Sequence, residues 1–94
     1  MDQLIEAYRQ QIVELAQKRG AERIKVFGSM ATGRATDVSD VDFLVEMKKG
    51  TSAFALGGLL KDLEDVLNRR IDITTPSALD PALRQKILSE AIEL

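Results

Sequence analysis

The segment from Val41 to Met47 constrains the fold of this chain more than any other part of the sequence. Its residues alternate, so that Val41, Phe43, Val45 and Met47 share one face of an extended strand. An apolar face of this kind has to be covered by other elements before it is removed from water. The segment therefore predicts the central strand of a small sheet.

Two amphipathic helices are predicted on either side of this strand in the sequence. Apolar side chains recur at spacings of three and four over residues 3–19 and again over residues 52–68. Gly20 is a natural end for the first helix. The pair Gly57-Gly58 weakens the second helix, at roughly 1 kcal/mol per glycine.

Two further strands and a closing helix complete the predicted fold. Residues 23–27 and 71–74 are short β-prone segments. Asp80-Pro81 predicts a helix start, since aspartate caps and proline suits the first helical position. The expected inner face of that helix consists of Leu83, Ile87, Leu88, Ala91 and Ile92.

The order of these elements is helix, strand, helical turn, strand, helix, strand, helix. It predicts an α/β (α+β) fold with a small three-stranded mixed sheet and helices packed mainly on one face. A chain of 94 residues is long enough for one core, so residues 1–94 are expected to form a single domain.

Composition excludes several classes of function. The chain contains no cysteine and no histidine, which excludes thiolate chemistry and leaves only oxygen ligands for a metal ion. The formal net charge is −2, whereas a protein that grips nucleic acid over a wide surface should be basic. The start lacks the features of a signal peptide, and no apolar run approaches the ~20 residues of a membrane span, so we expect a cytoplasmic protein.

Three aspartates form the candidate catalytic and metal-binding group. Asp40 and Asp42 lie two residues apart at the entrance of the central strand, so they share one face. Asp72 occupies the equivalent place between Ile71 and Ile73 on the next strand. If these two strands pair, three carboxylates meet on one patch.

Such a patch repels itself, because two like charges ~4 Å apart cost about 4 kcal/mol at an effective dielectric of ~20. Either one carboxylate takes up a proton or divalent cations neutralise the group. Oxygen ligands suit magnesium, manganese or calcium, and a pair of such divalent ions suits in-line displacement at phosphorus, which requires positioning and charge rather than a histidine.

A second candidate group lies where the first strand ends. Gly28 and Ser29 are predicted to open a short helical turn through Ala31, with Ser29 as its N-cap. The free N–H groups of such a turn can bind a phosphate, and Arg34 is within reach of the same loop. We therefore predict Gly28, Ser29 and Arg34 as nucleotide-binding residues. The loop is not a Walker A sequence, because Arg34 and Ala35 replace the lysine and the hydroxyl residue.

These motifs together resemble the signature of the DNA polymerase β-like nucleotidyltransferase superfamily. The resemblance rests on Gly28-Ser29, Gly33, the run Ser39-Asp40-Val41-Asp42, and Asp72 on a later strand. The chain length and the segment from Ile71 to Leu88 are similar to the minimal nucleotidyltransferases of prokaryotes.

The resemblance implies a magnesium-dependent enzyme that uses ATP. Asp40 and Asp42 would hold two magnesium ions, Asp72 would ligate one of them and help to activate the acceptor hydroxyl, and Gly28 and Ser29 would bind the triphosphate. Members of the subfamily act as antitoxins that transfer AMP to a tyrosine of a HEPN toxin. This chain departs from many relatives at Met30, where they carry arginine, and Arg34 would take over part of that role.

Two alternatives to this reaction remain open from the sequence. One is an antitoxin that neutralises its partner by binding alone. The other is transfer to a small molecule, which the short chain makes less favourable. Some apolar helix surface is also expected to face a partner or a second copy. Arg69 and Arg70 are expected to serve as partners of a helix dipole rather than as functional residues.

Overall fold

The computed structural model describes all 94 residues and contains four α-helices and four strands. The helices are α1 (Gln3–Lys18), α2 (Ser29–Thr32), α3 (Phe54–Leu67) and α4 (Pro81–Glu90), and a 3₁₀ turn spans Pro76–Ala78. The strands are β1 (Ala21–Phe27), β2 (Val41–Met47), β3 (Ile71–Thr74) and β4 (Ile92–Glu93). No helix is long and apolar enough to cross a membrane.

The four strands form one mixed sheet in the order β3-β2-β1-β4. β1 pairs antiparallel with both β2 and β4, whereas β2 and β3 run parallel. Parallel neighbours need a crossover connection, and α3 provides it. The α/β class and the mixed sheet predicted from the sequence are confirmed, and β2 and β3 have the predicted bounds.

The core lies between one face of the sheet and helices α1 and α3. The alternation in β2 has the predicted effect, since Val41, Phe43 and Val45 are fully buried. The helices contribute the buried side chains Ile5, Ile12, Ala16, Leu59, Leu63 and Leu67. Helix α1 begins at an N-cap, Asp2, whose carboxylate accepts a hydrogen bond from the backbone N–H of Leu4 at 2.9 Å.

The C-terminal segment differs from the prediction in two respects. The sheet has four strands rather than three, because Ile92 and Glu93 pair with Val26 and Lys25 on the open edge of β1. Helix α4 ends at Glu90 and contains no buried residue, so its apolar side chains do not form an inner face. Leu83 is 50% exposed and Leu88 is 43% exposed. Helical spacing predicts a helix, but burial depends on what packs against it.

The second face of the sheet also carries a small apolar contact. Leu44 lies on the opposite side of β2 from Phe43 and is 2% exposed, and Leu79 is 8% exposed. The 3₁₀ turn packs against β2. This face is therefore partly covered, although the sequence pattern assigned only the other face to the core.

The two glycines in α3 have different surroundings. A Cβ atom on Gly58 would lie 2.6 Å from Nη1 of Arg19, whereas a Cβ on Gly57 would meet nothing within 4 Å. Arg19 crosses α3 at this point and pairs with Asp62, with Nε 2.7 Å from Oδ2. The hydrogen bond from Arg19 is the main cause that lowers the pKa of Asp62. Gly58 therefore makes room for an ion pair between the two helices.

The substitution Gly57→Ala should raise the free energy of unfolding by about 0.5–1 kcal/mol, since alanine favours the helix and has space. Gly58→Ala should gain less or lose stability, because the Arg19 guanidinium has to move away from Asp62. Urea unfolding of the two variants measures the difference. Because folding lowers the pKa of Asp62, its ion pair with Arg19 loses its stabilising effect as the pH falls below 3.8. The stability difference between the two variants should therefore shrink below that pH. Equal gains at neutral pH would contradict this account of Gly58.

Candidate active site

The parallel pairing of β2 and β3 places two acidic residues side by side. Asp42 and Asp72 are direct partners in the register of these strands. Paired residues of neighbouring strands lie about 4.8 Å apart and point to the same face. Asp40 precedes β2 and lies two residues before Asp42, so it belongs to the same side of the strand. The structure therefore brings Asp42 and Asp72 together at one end of the sheet, and Asp40 lies close enough for its charge to act on Asp42.

The surroundings of Asp42 raise the pKa of its carboxyl group. It is half-buried, whereas Asp40 and Asp72 are exposed. Burial raises the pKa of Asp42 most, and the negative charges of Asp72 and then Asp40 raise it further. The ionised form of Asp42 is therefore less favourable than that of an ordinary aspartate, and an approaching cation would offset this cost.

Gly28 brings backbone directly against the Asp42 carboxylate. A Cβ atom on Gly28 would lie 2.5 Å from Oδ2 of Asp42. The backbone of Gly28 has φ 69° and ψ −148°, a region that is essentially restricted to glycine. Both the contact and the conformation therefore require glycine at this position.

The helical turn after Gly28 differs slightly from the prediction. Gly28 itself occupies the N-cap position of α2, and Ser29 is the first helical residue rather than the cap. The Gly28 carbonyl accepts hydrogen bonds from the N–H groups of Ala31 and Thr32, both at 3.1 Å. Because the first N–H groups of a helix have no acceptor within it, those of Ser29 and Met30 face the start of the turn.

Met30 and Arg34 have opposite surroundings. The Met30 side chain is fully buried in the core, so this position does not present a side chain to a phosphate. The Arg34 side chain is exposed, and it takes part in none of the four ion pairs. Its backbone N–H donates to the Ser29 carbonyl at 3.1 Å, which holds Arg34 beside the turn. The structure thus brings Arg34 near Ser29 through its backbone only.

Arg69 and Arg70 do not serve the helix dipole as expected, because each contacts the segment that leads into β2. Helix α3 ends at Leu67, and its C-cap Asn68 turns the chain with φ 51°. Arg69 donates from Nη1 to the carbonyls of Thr36 and Ser39, at 3.3 and 3.1 Å. Arg70 is 88% exposed, with Nε 3.9 Å from Oδ1 of Asp40. The sequence offered no signal for these contacts, since they depend on how the β3 segment lies beside the loop.

The chemistry of the donors fits magnesium. Carboxylate oxygens are the ligands this ion prefers, and it is usually held by one or two carboxylates together with substrate phosphates and water. No three acidic side chains converge closely enough to form a ready-made metal cage. The charges of Asp40 and Asp72 nevertheless act on Asp42, so one cation at this patch would relieve the repulsion.

The aspartates lie on open surface. The four surface cavities are lined by other residues, and none of them includes Asp40, Asp42 or Asp72. One of these cavities, of about 200 Å³, lies between the end of α1 and the β1–β4 edge. No pocket of this chain therefore encloses the three aspartates.

Comparison with protein families identifies the family of this chain. A family described as polymerase beta nucleotidyltransferase matches residues 10–94. The chain belongs to this family. The resemblance drawn from the Gly-Ser and Asp-Val-Asp motifs is therefore confirmed, and so is the expected enzyme class, nucleotidyltransferase.

A relative of similar length comes from Methanocaldococcus jannaschii. It is 34% identical over 90 residues, which cover 96% of this chain and 97% of the relative. Its name provisionally describes it as a protein adenylyltransferase. This nucleotidyltransferase chain therefore matches the whole of a small relative rather than one part of a larger enzyme.

Two solved structures share the fold. One, provisionally described as a minimal nucleotidyltransferase, has a TM-score of 0.87 and 39% identity, and the match covers 100% of this chain and 97% of that one. The other is a complex of a tri-AMPylated Shewanella oneidensis HEPN toxin with an MNT antitoxin. It has a TM-score of 0.69 and 18% identity, covering 94% of this chain and 69% of that one, and it supports the fold alone.

The close approach of Gly28 to Asp42 leads to a double-mutant prediction. Gly28→Ala should lower the free energy of unfolding by about 1–3 kcal/mol through backbone strain, with a further loss from the collision. The double variant with Asp42→Ala should lack this collision. The effects of the two substitutions on the free energy of unfolding should therefore be coupled by about 0.5–3 kcal/mol. Urea unfolding of the four proteins in the cycle measures this coupling. Gly33→Ala is the matched control, because its added Cβ meets nothing and should not couple to Asp42.

The raised pKa of Asp42 leads to a prediction about stability. Because folding raises this pKa above 3.8, ionised Asp42 costs stability, and the cost appears as the pH rises through the raised pKa. Asp42→Asn should therefore raise the thermal unfolding midpoint in metal-free buffer at neutral pH, and the gain should vanish below pH 3.8. Asp37→Asn, on the exposed loop, should change the midpoint little. A lower midpoint for Asp42→Asn at neutral pH would contradict this electrostatic account.

Proposed function

We propose that this chain transfers AMP from ATP to a hydroxyl group of a partner protein. The observation that carries the proposal is the pairing of Asp42 with Asp72, with the Gly28 backbone against the Asp42 carboxylate. Two carboxylates beside a glycine turn provide a place for cations and phosphates next to each other. This arrangement suits phosphoryl chemistry, in which positioning and charge stabilisation supply most of the catalysis.

The proposed reaction is an in-line displacement at the α-phosphorus of ATP. The acceptor oxygen forms a bond to the α-phosphorus, and the bond from that phosphorus to the oxygen bridging to the β-phosphate breaks. Pyrophosphate leaves, and the hydroxyl proton passes to Asp72 or to water. Asp72 suits this role because it is exposed at the edge strand, where an acceptor can approach.

Asp40, Asp42 and Asp72 would hold magnesium, and the ion would supply the charge that steadies the triphosphate and the developing negative oxygen. Two ions are proposed, as in related two-metal chemistry. The N–H groups of Ser29 and Met30 are proposed to donate to phosphate oxygens. Arg34 is exposed and held beside Ser29, so its side chain can turn toward the same phosphates.

A protein is the proposed acceptor, specifically a tyrosine of a HEPN toxin that this chain would neutralise as its antitoxin. The open position of the aspartates supports this choice, since a small acceptor would need a pocket to hold it. The similar fold of an MNT antitoxin bound to an AMPylated HEPN toxin supports the same partner class. The departure at Met30 gives no support to a role in binding alone, because its side chain belongs to the core.

The proposal is tested by incubating the chain with a HEPN toxin, magnesium chloride and ATP labelled at the α-phosphorus. Label should appear on the toxin, and tandem mass spectrometry should locate AMP on a tyrosine. Asp42→Asn and Asp72→Asn should each lower the rate by about 100-fold or more, the loss typical of removing a charge-stabilising group. Asp37→Asn is the matched control and should retain activity.

Two outcomes would overturn the proposed function. Label that transfers only from the γ-phosphorus of ATP would indicate a kinase. Full neutralisation of the toxin by a folded Asp40→Asn, Asp42→Asn double variant would show that binding alone suffices.

A further inference from the structure

The loop before β2 has only one small apolar contact with the core, through the half-buried side chain of Ala35. No side chain between Gly33 and Asp40 is buried, and Val38 is 88% exposed. A single methyl group buries little apolar surface, so the residues between Ala35 and Asp40 have no apolar anchor. Polar contacts therefore hold the residues directly before Asp40.

Short hydrogen bonds give this loop its internal shape. The N–H of Thr36 donates to Oγ of Ser39 at 2.8 Å, and the N–H of Ser39 donates to the Thr36 carbonyl at 3.2 Å. These bonds close the turn on itself. They do not determine where the turn lies relative to β3, which carries Asp72.

Arg69 provides side-chain hydrogen bonds between the turn and the residues that lead into β3. Its Nη1 atom donates to the carbonyls of both residues that close the turn, Thr36 and Ser39. Ser39 is the residue directly before Asp40, and Arg69 lies three residues before Asp72. One guanidinium group therefore ties together the two segments that carry acidic residues of the site. Bonds from a charged donor are stronger than those between neutral groups.

We propose that Arg69 is a positioning residue that sets the distance of Asp40 from Asp42 and Asp72, and thereby the affinity of the site for divalent cations. The inference rests on the proposed function, in which these aspartates hold magnesium. The guanidinium of Arg69 donates to backbone carbonyls, so its proposed role is to position Asp40 rather than to bind substrate or metal. A partner that orients a metal ligand typically changes metal affinity by about 10–100-fold when it is removed.

The test measures metal binding directly, with Mn²⁺ as the probe and the loss of its free-ion paramagnetic resonance signal as the readout. Arg69→Gln should weaken Mn²⁺ binding by about 10–100-fold. Arg69→Lys should recover part of this affinity, because an ammonium group can also donate to two carbonyls. Arg23→Gln is the matched control, since Arg23 is exposed at the opposite end of β1 from Gly28, and it should bind Mn²⁺ as the unmodified chain does.

Hydrogen exchange separates positioning from general folding. In Arg69→Gln, amide exchange should increase at residues 36–40 while α1 and β1 keep the protection of the unmodified chain. Unchanged Mn²⁺ affinity in Arg69→Gln would overturn the inference. So would a loss of protection throughout the chain in both Arg69 variants, since Arg69 would then serve the fold as a whole.

The Mn²⁺ measurement also separates this inference from the proposed function. If the unmodified chain binds Mn²⁺ but transfers no AMP, the proposed function fails, and the Arg69 variants still decide the positioning role. If the chain transfers AMP and Arg69→Gln retains full Mn²⁺ affinity, only the positioning role fails. Failure of the unmodified chain to bind Mn²⁺ would overturn both.

Discussion

The parallel pairing of β2 with β3 is the interaction on which the rest of this site depends. It places Asp42 opposite Asp72, so two like charges are held together by the hydrogen bonds of a sheet. The apolar face of the same strand stabilises this arrangement, because Val41, Phe43 and Val45 are fully buried under α1 and α3. One face of β2 thus stabilises the fold. On the other face, burial and the negative charges of Asp72 and Asp40 raise the pKa of Asp42, so ionised Asp42 lowers the stability of the folded chain.

Two local devices shape the surroundings of these carboxylates. Gly28 lets backbone approach Asp42 without a Cβ atom, in a conformation that other residues rarely adopt. Arg69 ties the loop before Asp40 to the segment before Asp72. Neither device is part of the hydrophobic core. The core positions the strands, and these two contacts position the groups at the ends of the strands.

Much of the fold followed from local patterns. The alternation in residues 41–47 and the run at 71–74 identified β2 and β3 with their observed bounds, and Asp80-Pro81 identified the start of α4. The C-terminal end was predicted less well. Leu83 and Leu88 have helical spacing yet remain half-exposed, and Ile92 leaves the helix for β1. A two-residue strand has almost no sequence signal, since its formation depends on an unpaired edge elsewhere in the chain.

The sequence by itself determined the chemical character of the candidate site, because a chain without histidine or cysteine leaves Asp40, Asp42 and Asp72 only oxygen-ligand chemistry. Only the tertiary structure decided that Asp42 and Asp72 are neighbours, that Met30 faces the core, and that Arg69 reaches the loop. The physical reason is that local propensity acts over a few residues. Register, burial and long side-chain contacts arise only when distant segments pack against one another.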